Sequence, residues 1–219
     1  ARGGSKGIHR KNLVKIGSTP LIGLTILAAK KARSIDKIIV SSDDEEIMQV
    51  ARYYGAETPF IRPKNISLDS TKMIEVLKHA LLFLNNSKTK TNAIVLLQPT
   101  SPLRNEIHIE ESLELFFRMK ASSIVSVVEV PHQYNPHSIL YLNKSGRLER
   151  NSKINFTRRQ DKPKFYARNG PSILITDPKV IMDDELYGDN SYPYIMSKED
   201  SLDIDTLSDL EQARRIMER

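Results

Sequence analysis

Residues 92–102, Asn-Ala-Ile-Val-Leu-Leu-Gln-Pro-Thr-Ser-Pro, decide the fold that we expect for this chain. The run from Asn92 to Gln98 is almost continuously apolar, which is typical of a strand covered on both faces of a parallel sheet. Pro99 and Pro102 stop this strand sharply. Polar side chains follow at once, so we expect a ligand-binding edge at the carboxyl end of the strand.

The sequence on either side alternates between strand and helix patterns. This alternation predicts an α/β domain with a doubly wound, mostly parallel sheet over residues 1–219. Residues 131–168 break the rhythm and are predicted to form an inserted arm with a hairpin. The predicted strands are 36–42, 57–61, 92–98, 123–130, 172–176 and 194–197. The predicted helices are 20–33 with Thr19 as its N-cap, 44–54, one from Asp69 onward, 105–120, a short one after Asp177, and one capped by Thr206 and Asp209.

Composition restricts the class of protein. Of the 219 residues, 39% are hydrophobic and 27% are charged, as in an ordinary soluble globular protein. No apolar run approaches a membrane span, so we expect no membrane partner. The chain has no cysteine, which excludes disulfides and thiolate sites and favours a cytoplasmic location.

The net charge of +6 raises the question of nucleic-acid binding. The basic residues are spread along the chain, however, so we expect a small anionic substrate and no nucleic acid.

Residues 1–12, Ala-Arg-Gly-Gly-Ser-Lys-Gly-Ile-His-Arg-Lys-Asn, interleave glycines with basic side chains. Two interpretations are open: a flexible basic terminus, or a cradle in which backbone N–H groups and cations converge on a polyphosphate. The spacing of a Walker A loop is absent. A parallel α/β fold that uses this segment as a phosphate loop needs an apolar strand just before it, and we expect such a strand to precede Ala1.

Two other groups of charged residues could form a metal-binding or a substrate-binding site. Asp203 and Asp205 point the same way if the segment is extended, and their carboxylates suit Mg²⁺ together with substrate phosphates. The alternative is that Asp205 only caps the following helix. Arg158 and Arg159 either form a solvated surface or hold a substrate carboxylate.

Three stretches together resemble the signatures of one family, the CMP-sialic acid synthetases (acylneuraminate cytidylyltransferases). They are residues 1–8 (ARGGSKGI) with Lys11-Asn12, residues 97–104 (LQPTSPLR) and residues 203–206 (DIDT). Residues 39–43 (IVSSD), Arg62-Pro63 and Asn169-Gly170 follow the family's order. The resemblance implies a Rossmann-like nucleotidyltransferase fold. It also implies transfer of CMP from CTP to the anomeric hydroxyl of a nonulosonic (sialic-type) acid, with release of pyrophosphate and dependence on Mg²⁺.

The resemblance also implies roles for individual residues. The residues implied to hold the nucleotide and its phosphates are Arg2, Gly3, Ser5, Lys6, Lys11, Asn12, Arg62 and Ser70. Those implied to face the sugar are Gln98, Thr100, Ser101, Arg159 and Asn169. Those implied to take part in catalysis are Arg2, Lys6, Lys11, Asp203 and Asp205, of which the two aspartates hold Mg²⁺. The resemblance further implies that the 131–168 arm joins two copies of the protein in a homodimer. Arg159 and Asn169 would then reach the sugar acid across the dimer interface.

The chain departs from the family pattern near the sugar. His9 occupies a variable place, Pro171 stands where a small residue is commoner, and Leu174 stands where an aromatic residue is frequent. Sialic, legionaminic and pseudaminic acids therefore all remain open as substrates. Two alternative functions are a different sugar-acid nucleotidyltransferase and a non-catalytic, basic nucleic-acid-binding protein.

Overall fold

The computed structural model describes residues 1–4, 7–87, 90–151, 156 and 158–218, and it has the predicted α/β class. The helices in these ranges are α1 (Leu21–Lys31), α2 (Glu45–Tyr54), α3 (Met73–Asn86), α4 (Glu106–Met119), α5 (Pro178–Met182) and α6 (Leu207–Met217). The strands there are β1 (Lys15–Ile16), β2 (Thr19–Pro20), β3 (Ile94–Leu97), β4 (Ser123–Glu129), β5 (Leu140–Leu142), β6 (Leu148–Arg150), β7 (Tyr166–Arg168), β8 (Ile173–Thr176) and β9 (Ser191–Ile195). Within the same ranges, no helix is both long enough and apolar enough to cross a bilayer.

Side-chain caps begin several of these helices, because a cap satisfies backbone N–H groups that have no partner within the helix. Asp44 accepts from the backbone of α2 at 3.0 Å, and Thr206 forms the predicted capping box of α6 with Asp209. The predicted cap of α1 is wrong. Thr19 pairs with Ile16 in the small β1–β2 sheet, and Pro20 takes the N-cap position without a side-chain hydrogen bond.

The main sheet has the order β3-β8-β4-β7, with β9 beside β4. Strands β3, β4 and β9 run in one direction, as predicted, but β8 lies between β3 and β4 and pairs antiparallel with both. The apolar pattern of β8 fits this central position, and its side chains are fully buried. Such a pattern marks burial on both faces and does not encode the direction of the strand, so sequence reasoning did not identify the antiparallel partner.

Strand β3 is nevertheless covered by helices on both faces, as its apolar run predicts. Ile94 and Leu96 pack against the cluster formed by α3 and α5. Val95 and Leu97 pack against the larger cluster that contains α1, α4 and β8. All four residues stay partly exposed, and β3 lies at the end of the sheet formed by the described strands.

Two predicted strands are shorter than expected. Residues 36–42 and 57–61 run parallel to each other, but they are joined only by isolated bridges at Ile39–Glu57 and Ser42–Ile61. The predicted strand 194–197 is displaced toward the N-terminus and is observed as Ser191–Ile195.

The 131–168 segment contains the predicted hairpin, formed by antiparallel β5 and β6. Its last residues do not belong to a separate arm, because β7 returns to the main sheet and pairs with the end of β4. Large apolar side chains of the hairpin point into solvent, including Leu142 and Leu148 at 68% and 67% exposure.

The N-terminal segment packs against the other end of the chain. Ile8 belongs to a buried cluster with Ile204, Leu210 and other residues of the two ends. Gly7 approaches the backbone closely here, and a Cβ atom placed on it would lie 2.4 Å from the carbonyl oxygen of Asp205. This distance is far below van der Waals contact, so a larger residue would push the segment away from residues 203–206.

We predict that Gly7→Ala destabilises the protein by about 1–3 kcal/mol, because the added methyl group overpacks a backbone contact. At this chain length, each kcal/mol lowers Tm by roughly 2–4 °C, which differential scanning calorimetry can resolve. Gly4→Ala is the matched control, since no atom of the described residues lies within 4 Å of its added Cβ. Equal Tm values for the two variants would show that the segment does not contact Asp205 in solution.

Candidate active site

Carboxylates from other parts of the chain hold Arg2 and Arg10, two basic side chains of the N-terminal segment. Arg2 forms an ion pair with Asp69. Arg10 donates to both carboxylate oxygens of Asp44 at 2.9 Å, and it also pairs with Glu46 at 3.0 Å. The segment is therefore placed against the start of α2 and the turn before α3, and it is not a free basic terminus.

Lys11 connects this segment to the predicted metal-binding residues. Its Nζ donates to Asp205 Oδ1 at 2.9 Å and to the carbonyl of Ile204 at 2.7 Å. The backbone N–H of Ile204 in turn donates to the carbonyl of Thr100 at 2.8 Å. All three stretches that carry the sequence resemblance thus meet at one edge of the sheet.

Arg62 lies beneath the N-terminal segment and is almost completely buried. Its guanidinium donates to the side chain of Ser41 at 3.0 Å and to the carbonyls of Ser41 and Ala1 at 2.5 and 3.2 Å. Burial lowers the pKa of Arg62, nearby Asp43 raises it, and Arg2 lowers it further. Arg62 therefore fixes the path of residues 1–2, a role that was not predicted.

Other polar groups of the segment are also engaged. The Gly3 N–H donates to Asp43 Oδ1 at 3.0 Å, and the Asn12 amide donates to the carbonyl of Arg2 at 3.0 Å. The predicted residue Ser70 is exposed and follows Asp69, the partner of Arg2. The predicted phosphate-binding residues Ser5 and Lys6 lie outside the described residues.

The two aspartates differ in environment. Asp203 Oδ1 is buried and has no hydrogen-bond partner among the described residues, whereas the Asp205 side chain is 75% exposed. Burial raises the pKa of the Asp203 carboxyl, a hydrogen bond from Thr100 lowers it, and nearby Asp205 raises it again. The alternative that Asp205 caps α6 is wrong, because Thr206 is the N-cap.

This donor set fits a magnesium ion that is shared with substrate. Across the described ranges, no group of three or more aspartate, glutamate, histidine or cysteine residues could hold a metal ion by itself. Mg²⁺ is commonly bound by one or two carboxylates together with substrate phosphates. The unpartnered oxygen of Asp203 and the exposed carboxylate of Asp205 offer such ligands next to the predicted phosphate-binding segment.

The predicted sugar-facing residues at the end of β3 lie beside Asp203. Gln98 and Thr100 approach each other at 3.5 Å, and the buried hydroxyl of Ser101 has no partner among the described residues. Gly170 completes this corner, since a Cβ placed on it would lie 3.5 Å from Ser101 Oγ and 3.8 Å from Asp203 Cγ. Its φ of 122° is in a region that favours glycine.

Two other predicted sugar-binding residues are placed differently. Asn169 is buried next to Gly170, with both ends of its amide hydrogen-bonded inside the protein. Arg159 is exposed in a short 3-10 helix of the 131–168 segment. Its neighbour Arg158 pairs with Asp161 at 3.1 Å. Among the described residues, no hydrogen bond or ion pair joins the Arg159 side chain to the end of β3.

Sequence reasoning assigned no role to Arg104, although it is the last residue of the LQPTSPLR stretch. Arg104 is 3% exposed and donates from Nη1 to the carbonyls of Gln98 and Ser172 at 3.0 and 3.1 Å. Burial lowers its pKa to about 10. Because these carbonyls follow β3 and precede β8, Arg104 ties together the strand ends that form the site.

Comparison with known proteins identifies the family of this chain. The profile of the family described as cytidylyltransferase matches residues 1–219. Pseudaminic acid cytidylyltransferase of Campylobacter jejuni is 31% identical over 215 residues, which cover 98% of this chain and 92% of that protein. N-acylneuraminate cytidylyltransferase of Escherichia coli O18:K1:H7 is 33% identical over 229 residues, covering 100% of this chain and 51% of that protein.

A solved structure has the same fold. The structure of CMP:2-keto-3-deoxy-manno-octonic acid synthetase in complex with CTP superimposes with a TM-score of 0.72 and covers 100% of this chain and 95% of that one, at 16% identity. The full-length family match, together with the meeting of the three signature stretches at one sheet edge, leads to one conclusion: the chain is a member of the cytidylyltransferase family.

Proposed function

We propose that this protein transfers CMP from CTP to the anomeric hydroxyl of a nonulosonic acid, releases pyrophosphate and depends on Mg²⁺. One observation carries the proposal: Lys11, the end of β3 and residues 204–205, which follow Asp203, are joined by short hydrogen bonds at one edge of the sheet. Relatives named for pseudaminic acid and N-acylneuraminate support this class of sugar acid.

The reaction is a displacement at phosphorus. The anomeric oxygen forms a bond to the α-phosphorus while the bond between that phosphorus and the bridging oxygen of pyrophosphate breaks. Pyrophosphate leaves with the electron pair, and the sugar hydroxyl loses its proton. Negative charge builds up on the phosphoryl oxygens and on pyrophosphate, so positioned cations should supply most of the catalysis.

The cations available for this task lie along the N-terminal segment. Arg2 and Lys11 are held at defined positions by Asp69 and Asp205, which orients them before substrate arrives. We assign both to the triphosphate, together with Lys6 from the sequence resemblance. When bound, Mg²⁺ would neutralise phosphate charge, and Asp203 and Asp205 would hold it.

The proposal predicts pyrophosphate release from CTP only when a divalent cation and a nonulosonic acid are both present. The assay should compare sialic, legionaminic and pseudaminic acids, with a 2-keto-octonate to detect a different sugar-acid specificity. We expect Asp205→Asn to lower kcat by roughly 100-fold, in line with the loss of one transition-state stabilising group.

Asp183→Asn is the matched control, because it removes an exposed carboxylate outside the site. It should turn over at the wild-type rate. Absence of pyrophosphate with every nonulosonic acid, from folded protein, would refute the proposed substrate class. Turnover that persists after chelation of divalent cations would refute the metal requirement.

A second prediction follows from the raised pKa of Asp203. The folded protein keeps the Asp203 proton to higher pH than the unfolded chain, so wild-type stability falls as pH rises from the ordinary aspartate pKa of about 3.9 through the raised value. An asparagine side chain at this position cannot ionise. We therefore expect Asp203→Asn to have a higher Tm than wild type at neutral pH, and the difference should vanish in acid.

Thermal unfolding monitored by circular dichroism at several pH values tests whether Asp203→Asn raises Tm at neutral pH. Asp183→Asn is the control for loss of a carboxylate. It should leave Tm unchanged, since Asp183 is exposed and lies outside the site. A Tm for Asp203→Asn below that of wild type at neutral pH would contradict the prediction.

We also propose that the protein is a cytoplasmic homodimer. Association through the β5–β6 hairpin would cover Leu142 and Leu148, whose apolar side chains are otherwise solvated. The absence of cysteine from the sequence suits a reducing compartment.

Leu142→Glu is expected to shift the protein from dimer to monomer, because a charge would be buried at the interface. Analytical ultracentrifugation measures the shift. Leu207→Glu is the control, since Leu207 is equally exposed at 65% but lies on α6. A wild-type protein that is monomeric at micromolar concentration would refute the dimer.

A further inference from the structure

A buried hydrogen-bond chain runs from β8, across β4, to Asn169. The backbone N–H of Ile173 donates to Ser126 Oγ at 2.8 Å. Since that contact uses Ser126 as an acceptor, its hydroxyl proton points to Asn169 Oδ1, 2.6 Å away. Ser126 is fully buried and Asn169 is 6% exposed. The position of the Asn169 oxygen is therefore determined by a backbone group in the centre of the sheet.

The other end of the Asn169 amide continues the chain toward the C-terminal part of the sequence. Its Nδ2 donates to Ser201 Oγ at 2.9 Å and to Met196 Sδ at 3.2 Å. Ser201 Oγ then donates to the carbonyl of Ser197 at 2.6 Å. The hydroxyls of Ser126 and Ser201 each accept one hydrogen bond and donate one. Reversing the amide would leave the Ser126 proton without its acceptor, so the orientation of Asn169 is fixed.

This chain of hydrogen bonds joins two backbone segments, of which one lies beside Asp203 in space and the other leads to it in sequence. Asn169 precedes Gly170, whose missing side chain leaves room beside the carboxyl group of Asp203. Ser201 lies two residues before Asp203 in the sequence. A buried amide therefore links the Gly170 turn to the segment that carries the aspartates.

We infer that Asn169 is a positioning residue, which holds Asp203 in place through Ser126 and Ser201 and does not bind the sugar. A sugar hydroxyl could reach its Nδ2 only by displacing Ser201, and its Oδ1 is engaged from the buried side. This assignment replaces the sugar contact that the family resemblance implied. Its consequence for turnover rests on the proposed function, whereas its consequence for the order of residues 197–205 does not.

The first test measures amide hydrogen exchange by mass spectrometry and needs no activity. In Asn169→Ala and Ser201→Ala, peptides that cover residues 197–205 should exchange several-fold faster than in wild type. Ser123→Ala is the matched control, because Ser123 is also a fully buried serine of β4, but its hydroxyl pairs with Ser191 away from the site. It should leave exchange in 197–205 unchanged. Unchanged exchange in Ser201→Ala and Asn169→Ala would overturn the inference.

The second test uses steady-state kinetics with the sugar acid that the enzyme accepts. Ser126→Ala, Ser201→Ala and Asn169→Ala should each lower kcat by about tenfold or more, the usual effect of losing a partner that orients a ligand-binding group. The double variant Ser201→Ala with Asn169→Ala should be no worse than the single variants, because both break one network. Ser201→Thr keeps the hydroxyl and should restore turnover.

A sugar-binding role for Asn169 predicts a different set of results. If Asn169 binds the sugar, Asn169→Ala raises the KM for the sugar acid alone, the serine variants behave as wild type, and residues 197–205 keep their exchange rates. That pattern would refute the positioning role. If no sugar acid is turned over at all, the proposed substrate class fails, and the exchange experiment still decides the role of Asn169.

Discussion

The contact between Lys11 and residues 204–205 is the one on which the rest of the site depends. It joins groups that are 193 and 194 residues apart in sequence, at 2.7 and 2.9 Å. One ammonium group binds a backbone carbonyl and a carboxylate together, so it fixes the N-terminal segment in both position and orientation. Ile204 passes this constraint to the end of β3 through Thr100. These contacts act together with the packing of Ile8 against Ile204, and they bring the three signature stretches to one edge of the sheet.

The site contains charged groups that stability alone would not favour. Asp203 is partly buried with one oxygen unpartnered, and Arg104 is buried with its Nε and Nη2 unpartnered among the described residues. Buried polar groups of this kind destabilise the folded state unless they find partners. Their position at the ends of β3 and β8 is typical of functional sites, where local requirements for stability and for binding conflict. The antiparallel β8 makes this corner possible, since it brings Ser172 and Gly170 beside the carboxyl end of β3.

Local structure followed the sequence where a single interaction decides it. Asp44 and Thr206 begin their helices because each accepts a hydrogen bond from a backbone N–H three residues further on. The apolar run of β3 packs against helices on both faces. The predictions failed where a distant partner decides the outcome. The segments 36–42 and 57–61 form only bridges, and β8 runs opposite to β3 and β4. The predicted cap of α1 failed for a local reason, since Thr19 pairs with Ile16, three residues before it, in the β1–β2 sheet.

The sequence by itself determined which chemical groups are present and in what order, and the stretches 1–12, 97–104 and 203–206 were enough to indicate the family. Only the tertiary structure decided which of these groups meet. It pairs Arg2 with Asp69, places Arg62 beneath residue 1, and encloses the Asn169 amide between two serines. The physical reason is that the partner of a side chain depends on the register and direction of strands far away in sequence. Residue patterns encode burial and local capping, and they leave those long-range relations to the packing of the whole sheet.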